Sequence, residues 1–137
     1  MKSSSNKYLP ELSGSNYDKI SIKHILQMSS GIKWNEDYDD PYSDVNLAAG
    51  FNSSDLYKYL SKLDTAHKPG RRFNYNTAES NLIGGIVRSA VGSNLSNYLE
   101  SKIWKPFGME SDAHWALDNT FLDELGGCCI YATLKDY

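Results

Sequence analysis

Apolar positions along the chain fall into helical spacing in four places. Ile22, Ile25, Leu26 and Ser29 follow Ser21 at i, i+3, i+4 and i+7, which predicts a serine-capped amphipathic helix ending near Gly31. A second helix is expected behind Ser53 or Ser54, with Leu56, Tyr59, Leu60 and Leu63 on its buried face and a stop before Lys68-Pro69-Gly70. The third and best marked runs over about 78–91. Its stripe is Leu82, Ile83, Ile86, Val87 and Ala90, its stop is Gly92, and Gly84 and Gly85 inside the stripe predict close approach of another helix or a sheet. A fourth, over about 95–103, has Asn94 as its cap, Leu95, Tyr98, Leu99 and Ile103 inward, and Pro106 beyond its end. Positions 127–131 read as a short strand, and Thr133 with Asp136 resembles a capping box that opens a further helix. Between the first two helices, 33–52 shows no period. It holds Trp34, Tyr38, Tyr42, Pro41, four aspartates and a glutamate, the composition of a long ordered loop or a set of turns, and such loops usually carry function.

These elements describe one helix-dominated unit over 1–137, with 1–7 as a flexible tail. A chain of 137 residues, 40% hydrophobic and 23% charged, is long enough to bury roughly two thirds of its unfolded surface. A net charge of -3 with dispersed lysines gives no basic stripe for nucleic acid and no polybasic anchor. No apolar run approaches the roughly 20 residues of a bilayer span, and Met1-Lys2-Ser3-Ser4-Ser5 lacks the apolar centre of a secretory signal. The compartment stays open between a cytoplasmic and a periplasmic parent. The two cysteines, Cys128 and Cys129, are neighbours and offer no disulfide framework.

Tyr75, on a turn between the Pro69-Gly70 approach and the third helix, is the strongest candidate for chemistry. A phenol works as a base near neutrality only when a neighbouring ammonium holds it as phenolate. Alternation along an extended segment would put only one of Arg71 and Arg72 on its face. The competing reading is a ring packed at a helix start. Trp34 and Tyr38 could line a substrate pocket or pin their loop to the core. Glu36, Asp37, Asp39 and Asp40 lack the glycine and spacing of a calcium loop and read as a solvated acidic stretch. His24, His67 and His114 have no paired ligand spacing, so neither a metal nor another cofactor is expected. Ser4-Ser5-Asn6-Lys7 formally fits Ser-x-x-Lys but reads as solvated tail.

Several of these segments, in order, resemble the penicillin-recognising serine hydrolases, which include class C β-lactamases, family VIII esterases and nylon-dimer hydrolases. Ser21 to Ile32 resembles the helix ahead of the active-site loop, and Trp34-Asn-Glu-Asp-Tyr38 resembles that loop in the nylon-hydrolase branch. Tyr75-Asn76-Thr77 stands where the family has Tyr-x-Asn, 92–109 resembles the following helix with its Trp-x-Pro-Leu-Gly-Met segment, and 126–136 is similar to Gly-Gly-x-x-Ser-Thr-x-x-Asp. The resemblance runs from about Tyr8 to Tyr137.

It implies a mainly α fold: the helical subdomain of the α/β β-lactamase and transpeptidase-like architecture, truncated at both ends with most of the sheet missing. It implies that Tyr75 is the catalytic tyrosine acting with the lysine of Ser-x-x-Lys, and that Tyr38 contacts substrate. Thr77 replaces the usual asparagine, with a hydroxyl still able to donate. Ser4 and Lys7 do not carry over, because the family places Ser-x-x-Lys some way upstream, and the Lys-Thr-Gly-like strand is not seen after Tyr137. The expected function is that of a fragment of an enzyme cleaving small-molecule amides or esters through an acyl-serine, silent by itself. The alternative is a binding or scaffolding module completed by a partner chain or by homo-oligomerisation through exposed apolar helix faces.

Overall fold

The computed structural model describes residues 4–120 and 122–137. Three 3₁₀ turns, Ser5–Lys7, Pro10–Leu12 and Asn16–Lys19, lead into five α-helices: α1 Ile22–Leu26, α2 Asp44–Ala48, α3 Ser53–Ser61, α4 Thr77–Val91 and α5 Leu95–Leu99. The last runs straight into a π-helical turn over Glu100–Trp104. Two short strands, β1 His114–Trp115 and β2 Ile130–Tyr131, pair antiparallel with His114 opposite Tyr131, and a 3₁₀ turn spans Leu134–Asp136. The described residues are mainly helical, as expected.

Caps set most helix starts where a side-chain oxygen can meet an orphan amide. Ser21 accepts from His24, Asn52 from Asp55, Asn76 from Glu79 and Asn94 from Asn97. Gly92 closes α4 in the left-handed conformation, with φ 65°. The first helix stops at Leu26, short of Gly31, because Met28 turns left-handed at φ 49° and Ser29 N–H closes back onto the His24 carbonyl. The expected strand over 127–131 shortens to Ile130–Tyr131, and the expected C-terminal helix is the single turn after Thr133. The loop over 33–52 contains α2, capped by Ser43 but only five residues long, too brief to show a period. On α3 it is Tyr57 that is buried, with Tyr59 only half-buried.

Residues 4–7 are not a free tail. Ser5 is fully buried, Ser4 bridges to Ser21 and bonds the Asp18 carbonyl at 3.1 Å, and Asn6 reaches the Asp18 carboxylate at 2.7 Å. The first three residues of that expected tail lie outside the described residues. The early turns supply Leu12, Tyr17 and Ile20 to one core with Ile25 of α1, Leu60 of α3 and Leu82 of α4. Gly84 and Gly85 do mark close approaches. A Cβ at Gly84 would meet the Gly126 backbone, and one at Gly85 would overlap the Tyr57 hydroxyl.

Inside this core the Tyr17 hydroxyl donates to Glu79 at 3.0 Å, and both side chains are fully buried. Burial pushes the Glu79 carboxyl from its ordinary 4.5 up to about 7, against the pull of Ser30 and Tyr17. Burial and the Glu79 charge also push the Tyr17 phenol well above its usual range.

Two predictions follow from this packing. The folded state holds the Glu79 proton more tightly than the unfolded chain does, so its contribution is fully present below about pH 4.5 and is lost as pH rises to about 7. The loss should be on the order of 3 kcal/mol in chemical denaturation, and Glu79→Gln should flatten that slope. Gly85→Ala should cost about 1–3 kcal/mol through overlap with Tyr57 despite better helix propensity, and adding Tyr57→Phe should recover part of the loss in urea midpoints.

Candidate active site

The site begins with a backbone ladder. Residues 28–33 run against 64–74: Lys33 N–H bonds the Asp64 carbonyl at 2.8 Å, Ala66 the Gly31 carbonyl at 2.8 Å, Gly70 the Ser29 carbonyl at 2.7 Å and Asn74 the Met28 carbonyl at 2.8 Å. Gly31 sits at φ 81°, and a Cβ there would collide with the His67 carbonyl, so only glycine admits this approach. Trp34 leaves one side of the ladder and Tyr75 the other. The Asn74 side chain ties the two exits by donating to the Trp34 carbonyl at 3.2 Å.

Tyr75 therefore lies between two fixed asparagines, Asn74 in the ladder and the buried Asn76 that caps α4 at 3.0 Å. Its ring is half exposed at 49%. That is the geometry of a presented phenol rather than a packed one. Of the two nearby arginines, Arg72 turns toward His67, with Nη1 and Nε2 3.3 Å apart.

The other three predicted residues meet at one carboxylate, Glu36. It accepts the Trp34 indole N–H, the Tyr38 hydroxyl at 2.7 Å, the Thr77 backbone N–H at 3.1 Å and the Thr77 hydroxyl. Burial pushes Glu36 up, but these donors from Thr77, Tyr38 and Trp34 together outweigh it and hold the carboxyl below the usual glutamate range. Tyr38 lies 3.3 Å from the Thr77 hydroxyl. That contact favours its ionisation, but the bond and charge of Glu36, with the nearby Tyr75, leave the phenol above its ordinary value. The Thr77 hydroxyl thus donates to Glu36 here.

Trp34 both packs into the core and lines a cavity. It is buried, edge-on to Tyr59 with centroids 6.5 Å apart, and it lines a cavity of about 230 Å³. Val45, Phe51, Leu56 and Leu125 make that cavity apolar, and Tyr38 and Thr77 stand at its polar side. Cys128 also lines it and is bonded to Cys129 as a vicinal disulfide, a pairing not expected from adjacency; it joins no separate elements. Asn81 donates to the Thr77 carbonyl at 3.3 Å and accepts from Gly127 at 3.1 Å, closing the wall.

The acidic stretch divides. Asp37 and Asp40 accept from backbone amides of their own loop, and Asp44 takes the Tyr59 hydroxyl at 2.5 Å. No group of three or more metal-ligating side chains is gathered among the described residues. Ser4 bonds to Asp18 and Lys7 lies over the Tyr8 ring at 5.3 Å, so that Ser-x-x-Lys match is spent on local packing. Glu36 is the residue sequence reasoning passed over. Its signal was the alternation Trp34, Glu36, Tyr38, which puts all three on one face of an extended segment.

The chain belongs to the β-lactamase family, whose model matches residues 6–121. The chain is 32% identical over 123 residues to the 6-aminohexanoate-dimer hydrolase of Paenarthrobacter ureafaciens, a match covering 83% of this chain and 31% of that protein. The fold is shared with a Bacillus anthracis protein provisionally assigned as a 6-aminohexanoate-dimer hydrolase, with TM-score 0.77, 22% identity, and coverage of 98% of this chain and 38% of that one. It is also shared with a class C β-lactamase, with TM-score 0.70, 20% identity, and coverage of 98% and 40%. This chain thus spans about a third of the length of the first relative, and its mainly α build is the helical part of the β-lactamase architecture.

Asn76→Ala should cost about 1–2 kcal/mol in urea denaturation by leaving the first turn of a 15-residue helix uncapped. The Tyr75 backbone amide should then exchange with solvent faster than the amides of α3.

Proposed function

We propose that this chain forms the proton-handling wall of a serine hydrolase that cleaves small-molecule amides or esters through an acyl-serine intermediate. Tyr75 takes the proton of an attacking serine hydroxyl as that oxygen bonds to the carbonyl carbon. It then gives the proton to the departing amine or alcohol, and water releases the acyl group by the reverse transfer. Trp34, Tyr38 and Thr77 bound the substrate pocket. The observation that carries this reading is Tyr75 itself: a half-exposed phenol between two anchored asparagines at the start of α4.

Ser4 and Lys7 are engaged away from Tyr75, so in this reading the nucleophile and its lysine come from outside these 137 residues and the chain alone is silent. A second reading, a binding module completed by self-association or a partner, is favoured by the apolar groove of Ile83, Val87, Leu95, Tyr98 and Ile103 between α4 and the α5 extension.

A chimaera decides between them. Residues 8–137 replace the matching segment of the Paenarthrobacter hydrolase, and turnover of a nitrophenyl ester and of the 6-aminohexanoate dimer is measured. The expected result is activity in the chimaera, a loss of about 100-fold or more on Tyr75→Phe, and no burst from the isolated chain. A folded but inactive chimaera would overturn the enzymatic reading in favour of the binding module.

A further inference from the structure

We infer that Glu36 is the positioning residue of this pocket: one carboxylate fixes the Trp34 indole, the Tyr38 phenol and the first residue of α4 relative to one another. Nothing in the acyl-transfer scheme above assigns Glu36 a part, and the inference rests on that reading only in calling Tyr38 a pocket residue.

Three observations carry it. The first is the number and direction of the donors. Oε1 takes the Tyr38 and Thr77 hydroxyls, and Oε2 takes the Trp34 indole N–H and the Thr77 backbone N–H. Each carboxylate oxygen is thus shared between the loop and α4. The second is location. Thr77 opens a helix of 15 residues, and its amide is one of the orphans that Asn76, bonded to Glu79, does not satisfy. A negative charge placed there is favoured by the helix itself as well as by the donors.

The third observation is the lack of a substitute. Three of the loop's four aspartates are occupied otherwise. Asp37 accepts from the Asp39 amide, Asp40 from the Tyr42 amide, and Asp44 from the Asn35 amide and the Tyr59 hydroxyl. From α4, Glu79 faces inward onto Tyr17. Tyr38 itself is largely exposed and has two polar side-chain partners, Glu36 and Thr77. Without Glu36, only the 3.3 Å contact with the Thr77 hydroxyl would hold the ring against the start of α4. The charge state follows: Glu36 stays ionised below the usual glutamate range, and its bonds to all four donors weaken when it is protonated.

The test uses the 137-residue chain and reads no turnover, so an inactive chain does not touch it, and an intact clamp does not rescue the hydrolase reading. Trp34 Nε1–H is assigned in the NMR spectrum by its absence from Trp34→Phe, and followed in pH together with the nuclear Overhauser contact between the Tyr38 ring and the Thr77 methyl. In the unsubstituted chain the indole signal should move once, with a midpoint below that of an ordinary glutamate. Thr77→Ala should raise that midpoint. In Glu36→Gln the movement should vanish and the Tyr38–Thr77 contact should fall at least several-fold, while methyl signals of Ile25 and Leu60 stay in place. Glu36→Asp should restore the titration but not the full contact, because the shorter side chain cannot span both partners. A titration that persists in Glu36→Gln, or a Tyr38–Thr77 contact unchanged in it, would overturn the assignment. Should Glu36→Gln fail to fold, the midpoint in Thr77→Ala decides: raised supports it, unmoved defeats it.

Discussion

Peptide amides at the start of a helix have no partner in the helix, and in this protein that ordinary constraint organises the site. The first turn of α4 begins where a loop, a ladder and a core all converge, so its amides cannot all be left to water. Asn76 takes one and Glu36 takes another. Meeting the second demand with a carboxylate from the 33–52 loop does more than cap. It draws that loop onto the helix with Trp34 and Tyr38 attached, and it places a fixed negative charge beside the phenols. Fold and chemistry are joined there because a single residue satisfies the backbone and orients the side chains.

The helix carries a carboxylate of its own two residues beyond Thr77, with the opposite fate. Glu79 is fully buried, has Tyr17 as its donor, and is pushed toward neutrality, whereas Glu36 near the surface has donors enough to remain charged. Two glutamates close in space thus titrate on different sides of the ordinary value, and the difference is in the count of donors and the depth of burial. Only the shallow one lies among the residues of the site.

Much of this was legible from residue order alone. The Leu82, Ile83, Ile86 and Val87 stripe with Gly92 gave α4 to within a residue, and the paired glycines marked a close approach, whose partners, Tyr57 and the Gly126 backbone, no local pattern names. Trp34, Tyr38 and Thr77 do share a cavity. What escaped depends on partners distant in sequence. Ser5 is buried because Tyr17 and Asp18 fold back onto the first turn, and no local pattern reveals that. The brevity of α1 reflects tertiary ties such as the ladder to 64–74, which override propensity. Glu36 was read with its acidic neighbours because charge runs are usually solvated. Its role lies in the 41-residue separation from Thr77.

The ladder between 28–33 and 64–74 has one more consequence. Tyr75 takes its place from this frame, whereas the stretch from Asn35 to Asn52 leaves it beyond Trp34. That stretch has ties of its own to α3 and α4, through Asp44 to the Tyr59 hydroxyl and through Glu36 to Thr77. The candidate phenol is thus anchored by backbone bonds and the loop beside it largely by side chains, so a side-chain replacement in the loop removes none of the bonds of the ladder.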